Sequence, residues 1–224
     1  VAATPMDLYI ADPGLGALLR YDPALDAMAV IAGARVTAQS RLAALGDGSV
    51  LVANGGAMPV RRYARSGRIL QGLEPPPGTG TYDEVVADAL GGRFLGLDRV
   101  QGRLEEILPH GRGATVLPPG LLPDLPVALA ADNRRLYVAD RACACVEAIE
   151  LFAGREKSVI AEDLDGVTAL AAGGGWLAVA DGGGRQLRLY REGVLRADPG
   201  FAELHLVNPQ GLAIASQLLY VADP

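Results

Sequence analysis

The sequence predicts an all-β chain, a β-propeller of four-stranded antiparallel blades. Three observations predict it: a five-residue string that recurs at a near-constant period, further columns that hold the same register, and glycines where each unit turns back. The string at residues 8–12 (LYIAD) returns at 136–140 (LYVAD), 177–181 (LAVAD) and 219–223 (LYVAD), with weaker copies at 50–54 (VLVAN) and 94–98 (FLGLD). Its last residue falls at Asp12, Asn54, Asp98, Asp140, Asp181 and Asp223, with successive gaps of 42, 44, 42, 41 and 42 residues. A fixed period of this size marks a repeat architecture.

The other columns follow from these markers. Six residues after them lie Leu18, Val60, Leu104, Val146 and Leu187, and nine after lie Tyr21, Tyr63, Ile107, Ile149 and Tyr190. Gly67, Gly111, Gly154 and Gly193 close the units, where a hairpin needs positive φ. The unit that starts at Asp165 shows the elements in order. Residues 166–172 form an Ala-rich first strand, 176–180 the second, 186–190 the third and 194–197 a short outer one. The marker Asp ends the second strand, where its carboxylate accepts backbone N–H groups and fixes the turn; Asn54 can do the same.

A lone four-stranded sheet cannot bury both of its faces, so copies stack. Radial stacking crowds the innermost strand, and the Ala-rich first strand suits that place. Seven or eight blades need more chain than 224 residues supply, so five or six fit. Residues 1–6 leave little room for a first inner strand, while 208–215 and 218–223 supply two strands at the other end. That strand count favours six blades with incomplete terminal ones; a five-bladed ring is the alternative. Residues 1–224 read as one propeller domain, and a chain that opens at Val1 reads as processed or as a piece of something longer.

Bulk composition narrows the function classes. Apolar residues make up 50% of the chain but aromatics only 5%, so Val, Leu, Ile and Ala must fill the core. A net charge of −6 argues against nucleic acid, which needs a clustered basic surface. No transmembrane segment is expected: the longest uncharged apolar run, 166–180, is interrupted by Gly173, Gly174 and Gly175. No signal peptide is present in the sequence, yet a periplasmic or secreted location is the expectation.

With the repeats laid out, residues 208–213 (NPQGLA) followed by 219–223 (LYVAD) resemble the opening of an NHL- or YVTN-type propeller repeat. Residues 180–190 (ADGGGRQLRLY) resemble its middle, an aspartate-glycine turn leading to an arginine and an apolar strand. The same strings resemble, more weakly, the gluconolactonase and senescence-marker propellers. That second resemblance implies a metal-dependent hydrolase, with a divalent cation such as calcium held by a carboxylate and an asparagine from inner strands. Gln210 stands where that family has its asparagine, and the equivalent places, thirteen before each marker, hold Arg41, Val85, Val127 and Thr168. None is a carboxylate, whereas a hard cation wants several oxygen ligands. No cofactor is therefore expected outside the hydrolase reading.

Single residues add little chemistry. Asp88 replaces alanine in the inner-strand column, ten residues before each later marker, where Ala44, Ala130, Ala171 and Ala213 stand. It reads as a local slip in the longest unit, as a channel residue near Glu84, or as a group paired between blades. Arg61, Arg62, Arg65 and Arg68 form the one basic cluster, either a solvated outer face or a contact surface for an acidic partner. His110 decorates a turn, and His205 faces solvent within an alternating stretch. The proline-rich segment 75–80 is the longest irregular loop and a plausible docking element. Cys143 and Cys145 read first as two packed thiols, because a bond between i and i+2 of a strand would be strained; a disulfide and a metal or redox role stay open.

The first reading is therefore a non-catalytic binding or assembly module with a protein partner. A metal-dependent lactonase and a ligand-sensing domain of a larger receptor are the alternatives. Glu84, Asp88, Gln210, Arg61, Arg62 and Arg65 are the candidate contact residues.

Overall fold

The computed structural model describes residues 1–54, 60–73, 82–88, 92–108, 111–117, 120–132, 134–152 and 156–223. Among them there is no helix. The chain divides into two compact units, Val1–Val116 and Leu117–Pro224.

The first unit holds three antiparallel four-stranded sheets. Their strands are β1 (Ala2–Ala3), β2 (Leu8–Asp12), β3 (Ala17–Asp22) and β4 (Ala27–Arg35); β5 (Arg41–Ala44), β6 (Val50–Ala53), β7 (Val60–Tyr63) and β8 (Ile69–Leu73); and β9 (Glu84–Asp88), β10 (Arg93–Asp98), β11 (Arg103–Leu108) and β12 (Gly111–Thr115). The second unit holds two more, β13 (Pro126–Ala131), β14 (Arg135–Asp140), β15 (Cys145–Glu150) and β16 (Lys157–Ala161), then β17 (Val167–Gly173), β18 (Trp176–Asp181), β19 (Gln186–Arg191) and β20 (Val194–Ala197). A two-stranded sheet, β21 (Gly211–Ala215) and β22 (Leu218–Ala222), completes it.

Within each unit, neighbouring sheets share a core, and the period of two decides which residues enter it. Along β6, Val50 and Val52 pack with Tyr9 and Leu18 of the first sheet. Leu51 and Ala53 point the other way, onto Val85 and Phe94 of the third. Along β18, Leu177 and Val179 meet Tyr137 and Ala139, while Ala178 and Ala180 meet Phe201 and Leu212. Both faces are dry, so these strands are continuous apolar runs and the recurring string never alternates with polar residues.

The markers act as expected. Asp12, Asp98 and Asp181 each accept the N–H three residues on, from Leu15, Gln101 and Gly184, at 3.0, 3.0 and 3.2 Å. Several also reach back to the segment that feeds their own sheet. Asp140 takes the Leu125 N–H at 3.0 Å, Asp181 that of Asp165 at 3.0 Å, and Asp223 those of Val207 and Asn208. One carboxylate thus fixes a turn and the entry to the innermost strand together. Four residues after a marker the backbone turns left-handed, at Gly16, Gly102, Ala144 and Arg185, with φ of 62, 61, 52 and 53°.

The six-bladed arrangement favoured by strand counting is not supported; five sheets reach four strands among the described residues. The count failed at the N-terminus. Ala2 and Ala3 pair with Tyr9 and Leu8, and so complete the first sheet with only two residues. Thr4 makes this possible by taking the Asp7 N–H on Oγ1 at 3.0 Å and closing a tight turn.

Candidate functional site

The first unit presents its polar side chains at the ends of the inner strands β5 and β9. Arg41 opens β5 and donates from Nε to Oε1 of Glu84, which opens β9, at 2.9 Å. Arg99 approaches the same oxygen at 3.5 Å. Burial holds the Glu84 carboxyl above its usual range, and the Arg41 charge pulls against that rise. Asp88 is not a register slip. It lies directly opposite Arg93 in a regular ladder, is fully buried, and receives the Arg93 Nε–H at 2.9 Å. Glu84 and Asp88 share one face of β9 but lie about 13 Å apart along it, at ~3.3 Å per residue. Each is therefore committed to its own guanidinium rather than to a joint site.

The basic cluster also turns inward. Arg65 donates to Asp7 at 2.7 and 3.1 Å and to Asp22 at 3.0 Å, and the Asp7 side chain has no exposure at all. It clamps the second sheet to the first. Arg62 donates to Asp47 at 2.9 Å and to Ser49 at 3.0 Å, and lies over the Phe94 ring, 5.3 Å from its centroid. Ser49 and Arg62 bonding holds the Asp47 carboxyl below its ordinary value, against its own desolvation. Arg61 stands half-buried beside Tyr63, whose phenol burial pushes up. Of the four, Arg68 is the exposed one.

In the second unit the column equivalent to Arg41 holds Val127, Thr168 and Gln210. Thr168 donates from Oγ1 to the Pro209 carbonyl at 2.6 Å, tying two inner segments together. Gln210 is exposed, and its backbone N–H meets the Ala222 carbonyl at 2.9 Å. Gly182–Gly184 forms the expected hairpin turn, pinned by Gly182 N–H to the Gly166 carbonyl at 2.9 Å. A cleft of about 310 Å³ opens beside Asp132, Arg135, Tyr137, Glu150 and Glu192. Its groups largely satisfy each other: Arg135 meets Glu150 at 2.6 Å, and the Tyr137 hydroxyl donates to Asp132 at 3.1 Å. Burial, with Asp132 adding to it, pushes that phenol up to about 12.

The cysteines correct the sequence reading. Cys143 and Cys145 form a disulfide, with Cα atoms 5.2 Å apart. The objection to such a bond assumed a strand, whereas Cys143 and Ala144 lie in a turn and only Cys145 belongs to β15. His205 is exposed as expected but sits in a turn with φ of 57°, outside any strand. His110 and the proline-rich segment 75–80 lie outside the described residues.

One surface was not anticipated. Strand β4 is the outer edge of its sheet, and residues 27–30 are all exposed, Met28 at 56% and Val30 at 64%. The signal was present as an uncharged stretch, AMAVIAGA, at 27–34. Strand β4 carries its one charge at its last residue, Arg35, whereas the other outer strands carry Gln71, Arg112, Lys157 with Ser158, and Arg196.

No family model matches the chain. No curated protein matches it in sequence. Solved structures do match in shape. A nidogen–laminin complex chain aligns with a TM-score of 0.70 and 17% identity, over 93% of this chain and 82% of that one. A gluconolactonase from Xanthomonas campestris gives 0.68 and 16%, over 97% and 79%. Virginiamycin B lyase from Staphylococcus aureus gives 0.65 and 13%, over 100% and 76%. At these identities the likeness shows the fold alone: a β-propeller, with five four-stranded blades among the described residues. The same fold serves a protein complex, a lactonase and a lyase, so function must be argued from this chain's own residues.

Proposed function

We propose that this chain is a protein-binding β-propeller, in which the outer edge of β4 receives an extended apolar segment of a partner. The observation that carries this reading is the uncharged, exposed run at residues 27–30 on a sheet edge. Edge strands are ordinarily blunted by charge, proline or cover, because their unpaired N–H and C=O groups template further pairing. Residues 27–30 of β4 carry neither charge nor proline. An added strand satisfies the edge's backbone groups, and alternate side chains give selectivity.

The hydrolase reading requires a divalent cation, and the residues do not fit one. Arg41 is itself a cation already paired to Glu84, Val85 is core, and Thr168 spends its hydroxyl on Pro209. Among the described residues no three His, Cys, Asp or Glu side chains gather as a metal set. A location outside the cytoplasm belongs to this proposal, and the Cys143–Cys145 bond is compatible with an oxidising compartment. Fractionation of cells expressing the full gene checks that assignment.

The test uses labelled peptides of alternating valine and threonine, with a proline-interrupted control. Binding is followed by anisotropy, and its site by hydrogen exchange of the β4 amides. The expected result is protection at residues 27–30, lost in Val30→Lys with no change in melting temperature. Protection elsewhere, or none, overturns the reading. So does metal in the purified protein whose chelation lowers the melting temperature.

A further inference from the structure

The disulfide closes a turn that does not need it. Four second-to-third strand turns place a left-handed residue four positions after the marker, and Gly16, Gly102 and Arg185 do so with no cysteine beside them. The turn at Ala144 is held independently on both sides. Asp140 Oδ1 accepts the N–H groups of Leu125 and Ala142, each at 3.0 Å, and the Ala144 carbonyl accepts that of Leu164 at 3.0 Å. The bond also spans a sequence separation of only two, where a cross-link removes least freedom from the unfolded chain. A structural staple would not be placed here.

The two sulfurs are unequally placed. Cys143 is exposed in the turn, whereas Cys145 is 3% exposed at the first position of β15. An incoming thiolate therefore meets Cys143 first, with Cys145 as the leaving sulfur.

We propose that Cys143–Cys145 is a thiol–disulfide exchange site that takes two electrons from a dithiol. A donor thiolate attacks the Cys143 sulfur, the bond between the cysteines breaks, and its electron pair leaves on the Cys145 sulfur, which takes a proton from water. The donor's second thiol, deprotonated, then attacks its own sulfur in the mixed disulfide and releases Cys143 as a thiolate, which is protonated in turn. The donor ends as a disulfide and the protein as a dithiol: two electrons and two protons have moved. The shared chemistry is that of a dithiol, whether a small molecule or a segment of a protein.

The experiment treats the folded protein, without denaturant, with dithiothreitol in one arm and a short synthetic Cys-x-x-Cys peptide in the other. Both cysteines fall in one tryptic peptide, residues 142–155, so reduction is read by mass after alkylation. Reduction is expected in the native state, with a melting temperature that falls by no more than about 5 °C, as befits so short a loop. Faster exchange with the synthetic peptide assigns a protein donor; faster exchange with dithiothreitol assigns a small one. In the single-thiol variants, Cys143 in Cys145→Ser should react with an aromatic disulfide about tenfold faster than Cys145 in Cys143→Ser, following exposure. A bond that resists both donors until the protein melts overturns the proposal, and so does a large loss of melting temperature on reduction. Equal reactivity of the two single thiols overturns the assignment of Cys143 as the attacked sulfur.

Discussion

Gly96 occupies the column that holds Ile10, Val52, Val138, Val179 and Val221 in the other repeats. A β-carbon built there would lie inside contact distance of the Tyr82 ring, 2.7 Å from Cδ2 and nearer still to Cγ and Cδ1. The ring is 3% exposed and packs with Phe94 and Val85, so it has nowhere to go. The aromatic fills the space that a β-branched side chain fills elsewhere, as aromatic residues do over strand glycines. Gly96→Ala should therefore cost ~1–3 kcal/mol by overpacking. The same change removes the entropic penalty of glycine in a strand, a gain of ~0.5–1 kcal/mol. The net expectation is a loss of ~1–2 kcal/mol, or a melting temperature lower by ~2–8 °C for a chain of this size. With Cγ and the whole ring removed in Tyr82→Ala, only the entropic gain remains, so Gly96→Ala should become stabilising by ~0.5–1 kcal/mol. Urea unfolding of the four proteins measures both steps, read as midpoints at constant slope. A change of the same sign in both backgrounds would refute the packing argument.

Two further expectations concern the turns and the phenols. Ala144 and Arg185 carry a β-carbon in the left-handed region that Gly16 and Gly102 occupy freely, so Arg185→Gly should stabilise by ~0.5–1 kcal/mol and Gly102→Ala destabilise by ~1 kcal/mol. Opposite shifts in urea midpoint confirm the turn geometry; equal shifts deny it. Tyr9 donates its hydroxyl to the Gly48 carbonyl at 2.6 Å, and burial pushes its phenol up to about 12 from 10. Its folded pKa lies above its unfolded one, so its contribution is full below pH 10 and is lost as pH rises toward 12. Tyr9→Phe should flatten the fall in melting temperature across that window, and an unchanged slope would show that the phenol is not what titrates.

The repeat was legible because each element's physics is local. A run of apolar residues closed by an aspartate states where a doubly buried strand stops and what caps its turn, and the structure realises both at Asp12, Asp98, Asp140 and Asp181. Strand number was less legible, because nothing in a periodic pattern sets a minimum strand length. Two alanines suffice at β1, since the side chain of Thr4 substitutes for further ladder bonds. The cysteines failed for a related reason. The i, i+2 objection holds for extended backbone, and the clue that the backbone is not extended lay in register: Ala144 stands four after its marker, as Gly16 and Gly102 do.

Charge was the least legible property, because ion pairs join residues far apart in sequence. Arg65 and Asp7 are separated by 58 positions, and no spacing rule connects them. Asp88 and Arg93 are nearer in sequence, since one closes β9 and the other opens β10, opposite each other in the ladder. Once such pairs form, Glu84, Arg62 and Arg65 join neighbouring sheets, while Asp88 is paired within its own. The charged residues paired in this way are engaged by the scaffold, whereas Gln210 stays exposed. What remains outward is apolar and easily overlooked: a protein interior tolerates charge only when paired, whereas a sheet edge left without charge stays open to another strand. The contrast between residues 27–34 of β4 and the Lys157-bearing β16 follows from that asymmetry. Function in this chain is therefore to be sought where charge is missing rather than where it gathers.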